Sequence, residues 1–180
     1  MAIIRDLIYK IRRFYLKRYS AKNKKKRFVV PFSEVKKVGI IYPHDAENDT
    51  EIRRFSKKLN EHGIATSTLG FVEEKELDGH FSPNLRSDYF CLKDVNRLKL
   101  PIRSNVMRFI SEPFDYLIVS TVDVHEPLLG VASLSKANMR VGKYLKEYDF
   151  CFDIMIDGEH RDIRALNEEV LDYLSKFRNG

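Results

Sequence analysis

No tryptophan occurs in this chain, cysteine appears only twice, and no apolar run approaches the roughly 20 residues that span a bilayer. Each shortage removes a class of protein. Cys91 and Cys151 both fall inside expected strands; they make neither a disulfide scaffold nor a C-x-x-C metal pair, and read as small buried hydrophobes of a reducing cytosol. Glycine is sparse too. The segment after the first expected strand, YPHDAEND, has neither a G-x-G-x-x-G spacing nor a Lys-Ser/Thr pair, which argues against dinucleotide or nucleoside triphosphate binding by those routes. No cofactor is expected. The start, MAIIRDLIYKIRRFYLKRYS, carries charges throughout and has no apolar h-region, so it does not read as a secretory signal.

What is present is an uneven charge. Residues 1–27 hold eleven Lys/Arg against one acid, Asp6, so this arm carries +10 while the whole chain carries only +6 and the remainder is mildly acidic. Ile3, Ile4, Leu7, Ile8, Ile11, Phe14 and Tyr15 recur at helical spacing, and Arg5, Arg12, Arg13 and Lys17 fall on the other side, with Arg18 interrupting the stripe. Residues 2–19 therefore read as a basic amphipathic helix. The aperiodic Lys22–Arg27, KNKKKR, reads as a solvated linker. Two units follow: the basic helix with its lysine-rich linker over 1–27, and an α/β domain over 28–180.

Within the domain, strands are expected at 38–42, 65–71, 89–92, 116–119, 139–142 and 150–156. Between them lie helices marked by Ile52, Phe55 and Leu59, by Asn105–Ser111, by Leu128–Leu134 running on to Asn138, and at the end by Ile163, Leu166, Val170 and Leu174. Asn48, Asp49 and Thr50 are the N-cap candidates for the first of these, and Pro127 suits a first helical residue. Residues 73–86 read as loop with a short helix. This alternation predicts a single Rossmann-like, doubly wound, mostly parallel sheet of five or six strands, preceded by the N-terminal helix. Tyr116–Val119 and Val38–Tyr42 are continuous apolar runs that need cover on both faces, so they should lie side by side at the centre.

Ligands of such sheets bind beyond the carboxyl ends of the strands. Two loops qualify and supply the candidate crevice: His44 and Asp45 after the first strand, and Ser120, Asp123 and His125 after the central one. Ser120, Asp123 and His125 include the residue types of a hydrolytic triad, but no G-x-S-x-G elbow frames them, and three polar residues in a short loop more commonly do turn and cap work. His44, Asp45, His125 and Glu126 are metal-ligand types without H-x-E or C-x-x-C spacing, so no metal is expected.

The basic start, KKVGIIY, LGFVEEKEL, EPFDYLIVST and LSKANMRVG together resemble an uncharacterised family of small bacterial proteins known mainly as a domain of unknown function. That resemblance implies a cytoplasmic α/β protein with no established activity. Phe114–Val119, Ala132–Ala137 and Arg140–Gly142 are also similar to a βαβ stretch in the N-terminal half of heptosyltransferase-type glycosyltransferases. Those enzymes need a second Rossmann-like domain for the sugar nucleotide, which the 180 residues do not supply.

The arm admits three readings: packing on its own domain, lying on an anionic membrane surface, or tracking RNA phosphates. Arg18 within the stripe, the missing tryptophan and the tether to a compact domain count against lipid. The expectation is a non-enzymatic module docking on a polyanion, RNA or a ribonucleoprotein such as the ribosome being favoured over a membrane surface. Arg12, Arg13, Lys17, Arg18, Lys22, Lys24, Lys25, Lys26 and Arg27 would be its contacts. The competing class is a small ligand-binding protein or enzyme using the strand-end crevice.

Overall fold

A computed structural model describes residues 2–22, 28–77 and 87–177. Part of the expected loop over 73–86, and the expected contacts Lys24, Lys25, Lys26 and Arg27, lie outside the described residues. Six strands form one sheet: β1 (Lys37–Pro43), β2 (Ala65–Val72), β3 (Ser87–Cys91), β4 (Tyr116–Val119), β5 (Met139–Lys143) and β6 (Ile154–Ile156). Their order is β3-β2-β1-β4-β5-β6, and every neighbouring pair is parallel. As their apolar runs require, β1 and β4 are adjacent at the centre, with Val38 opposite Tyr116 and Ile41 opposite Val119.

Alternation along these strands divides the core into two layers. Ile41, Leu117 and Val119 face one layer with α1 (Ala2–Lys22), α3 (Ser104–Ser111) and α4 (Glu126–Leu134). Val38, Ile40, Tyr116 and Ile118 face the other, covered by α2 (Ala46–Glu61) and α5 (Ile163–Ser175). Where the chain enters the domain, the Tyr116 hydroxyl donates to the Val30 carbonyl at 2.6 Å and Asn138 Nδ2 donates to the Phe28 carbonyl at 2.6 Å.

Several boundaries differ from expectation for local reasons. The N-cap of α2 is Asp45 rather than Asn48, Asp49 or Thr50, because its Oδ1 accepts from the Asn48 N–H at 2.7 Å. Helix α4 stops at Leu134, where Ser135 turns extended, well short of Asn138. The expected strand over 150–156 is a 3-10 turn at Asp149–Cys151 followed by the short β6. Asp162 caps α5, its Oδ1 accepting from the Ala165 N–H at 2.8 Å.

Candidate functional site

At the carboxyl end of β1, the two residues singled out by sequence part company. Asp45 is spent on the α2 cap, its two oxygens accepting from the backbone and side chain of Asn48. His44 turns towards Asp49, one turn into α2, with Nδ1 3.7 Å from Oδ1. Asp49 is the hub that sequence reasoning took only for a cap. Its Oδ1 also accepts from the Tyr42 hydroxyl at 2.7 Å and the Tyr89 hydroxyl at 3.2 Å, and Arg53 pairs with Oδ2 at 2.7 Å. Gly70 lies between the two tyrosines in register; a Cβ there would stand 2.8 Å from the Tyr89 ring and 3.2 Å from Tyr42. A glycine flanked across the sheet by two tyrosines was the available signal.

Burial pushes the Asp49 carboxyl up, but the Tyr42 hydroxyl, the Arg53 charge and the Tyr89 hydroxyl outweigh it and hold the group below its ordinary range. Burial, then the bond to Asp49, pushes the Tyr42 phenol far above its ordinary value. The acid stays ionised and the phenols stay protonated at neutral pH. This is a knot tying β1, β3 and α2.

Beyond β4, no triad assembles. The buried Ser120 donates its hydroxyl to Asn167 Oδ1 on α5 at 2.7 Å, and Asp123 makes a turn in which its carbonyl accepts from Thr121 Oγ1 at 3.0 Å. His125 is the N-cap residue of α4, half-buried, its carbonyl accepting from Leu129 N at 3.1 Å. Among the described residues no group of three or more His, Cys, Asp or Glu is placed to hold a metal ion.

Helix α1 docks on the domain through the side opposite its apolar stripe, by way of Tyr9, Arg12, Arg13, Leu16 and Ser20. Leu16 is 1% exposed and enters the core layer of α4; Ser20 donates to the Phe150 carbonyl at 2.5 Å and accepts from buried Arg140 at 2.7 Å. Arg12 pairs with Glu126, the first residue of α4, and burial lowers its guanidinium from the ordinary value, with Tyr148 acting the other way. Arg13 Nε donates to the Glu147 carbonyl at 2.8 Å, and the Tyr9 hydroxyl donates to the Glu147 carboxylate. Arg12 and Arg13, expected to meet a polyanion, therefore bond to the domain, Arg12 half-buried and Arg13 still exposed. Lys17, Arg18 and Lys22 remain exposed.

The apolar stripe is left outside. Ile4 is 64% exposed, Phe14 61%, Leu7 56%, and Ile8, Ile11 and Tyr15 are exposed as well. One face of the helix is thus engaged by the domain and the other is apolar and exposed, with Lys17, Arg18 and Lys22 around the C-terminal half of the outer one.

Between α1, the start of α4 and the carboxyl end of β2 lies a cavity of about 370 Å³. Phe71 from β2, Tyr148 and Tyr9 supply aromatic wall, Tyr9 meeting Tyr148 edge-on at 6.4 Å. Of the candidate crevice residues only His125 lines it, beside Glu126 and Pro127; Lys99 and Tyr148 were missed, since no local pattern brings them together.

A family model described as a family of unknown function, DUF6913, matches residues 9–177. The chain belongs to DUF6913. No curated protein and no solved structure matches it. The DUF6913 match begins at Tyr9, so it takes in the docked part of α1 together with the whole sheet. No helix of the described DUF6913 chain is long and apolar enough to cross a membrane.

Proposed function

We propose that this DUF6913 protein lies on an anionic membrane surface, with the outer face of α1 seated at the headgroup boundary and the α/β domain held above it. One observation carries the reading: the apolar stripe of α1 stays exposed while the opposite face of the same helix is consumed by the domain. Leaving Ile4, Leu7, Ile8, Ile11 and Phe14 in water forgoes the burial free energy of about 25 cal/mol per Å² that a partner would recover. The partner must match both halves of the surface. Lipid does so, covering the stripe with acyl chain and pairing Lys17, Arg18 and Lys22 with headgroups. RNA phosphates suit the cations and the lysine run at 22–27, but cover no apolar side chain.

Co-sedimentation with phosphatidylcholine vesicles, with and without phosphatidylserine, tests the reading. Binding is expected only with the anionic lipid, and Lys17→Gln, Arg18→Gln and Lys22→Gln should each weaken it by about 1 kcal/mol. Ile4→Ser, Ile8→Ser and Ile11→Ser together should abolish vesicle binding with the melting temperature unchanged. Absence of vesicle binding, with salt-sensitive binding to ribosomes in its place, would return the arm to RNA.

A further inference from the structure

We propose that the cavity beside α4 binds a small anionic amphiphile, a molecule with one carboxylate or phosphate head on a compact, flat apolar body, and that Lys99 anchors the head. The volume of about 370 Å³ falls at the small end of ordinary ligand sites, and its walls mix aromatic and aliphatic side chains with polar ones, three of them carboxylates. Two of the carboxylates on its lining are already engaged, Glu126 by Arg12 and Glu147 by Tyr9; Glu73 stands exposed in solvent. Lys99 differs from them. It is half-buried on the cavity wall, and among the described residues its ammonium has no hydrogen-bond or ion-pair partner.

The backbone spends effort on placing it. Lys99 sits at φ 58°, a left-handed conformation that lysine seldom adopts. Three contacts impose it. The Asn96 side chain accepts from Leu98 N at 2.9 Å and Leu100 N at 3.1 Å, and Lys99 N donates to the Asn96 carbonyl at 2.8 Å. The turn then presses on α4 at Gly130, where a Cβ would come 2.8 Å from the Lys99 carbonyl. The start of α4 borders the same cavity through His125, and the partial positive charge of a helix N-terminus favours an anion there. The proposal does not depend on membrane docking.

Amide NMR spectra of the full chain, titrated with three probes sharing one ring system, separate the alternatives. Indole-3-acetate should shift the amides of Lys99, Val124 and His125 saturably, at least tenfold more tightly than neutral indole-3-acetamide, with cationic tryptamine weakest. Lys99→Gln should remove that preference. Lys99→Asn, a side chain better suited to the left-handed backbone, should remove it with the fold assured. The variant with serine at 4, 8 and 11 should bind all three probes as the wild type does, which separates this site from the outer face of α1. Equal affinities, tighter tryptamine, or no saturable shift at these amides overturns the proposal.

Discussion

Asp49 joins three elements through one carboxylate, and its energetics can be checked residue by residue. Asp49→Ala removes the acceptor shared by the Tyr42 and Tyr89 hydroxyls and the counter-ion of Arg53, and bonds to a charged acceptor make a loss of about 2 kcal/mol the expected outcome. The carboxyl is held below its ordinary range in the folded protein, so its contribution is full above the unfolded value of about 4 and disappears as pH falls through the lower folded value. Asp49→Asn should therefore lower the melting temperature at neutral pH and much less in strong acid. Thermal melts of both proteins at the two pH values measure this. Arg140 is a stiffer case. It is 1% exposed, with Nε 2.9 Å from Asp153 Oδ2 and Nη1 donating to Ser20 Oγ at 2.7 Å. Asp153→Asn leaves that buried charge without its counter-ion and should cost about 3–5 kcal/mol, read from urea unfolding. Cys151 makes the opposite point about reactivity. Burial pushes its thiol up to about 11, so it should resist iodoacetamide at mild alkaline pH until the protein unfolds.

At the scale of the element, α1 has one face fixed to the domain and one face free, and substitutions should divide accordingly. Leu16→Ala opens a cavity between α1 and α4 and should cost about 2–5 kcal/mol. Ile8→Ala, on the outer face, should stay within about 0.5 kcal/mol of wild type. Equal effects at the two positions would mean that α1 does not dock as described. Helix α4 carries a similar contrast. Gly130→Ala would ordinarily favour a helix, yet its Cβ meets the Lys99 carbonyl, so a net loss of about 1–3 kcal/mol is expected on thermal unfolding.

For the whole molecule, the placement of β1 and β4 was written in the chain itself. VGIIY and YLIV are apolar at every position, so neither tolerates an edge, and the alternation of strand and helix leaves few topologies other than a doubly wound parallel sheet. The two strand-end loops were legible for the same reason, although only the end of the second, Val124 and His125, reaches the cavity. What the sheet's sequence could not decide was the orientation of α1. A 3.6-residue period shows that Ile4, Leu7, Ile8, Ile11 and Phe14 share a face; it says nothing about which surface that face meets. The outcome depended on partners more than 100 residues away, Glu126 for Arg12, Glu147 for Tyr9 and Phe150 for Ser20. These bonds draw the other face inward and leave the stripe outside. The cavity has the same origin, since Tyr9, Phe71, Lys99 and Tyr148 come from four separate stretches that no local spacing relates. Local propensity and periodicity determined the elements of this protein, while long-range pairing of a few polar side chains decided which surface of its first helix faces outward.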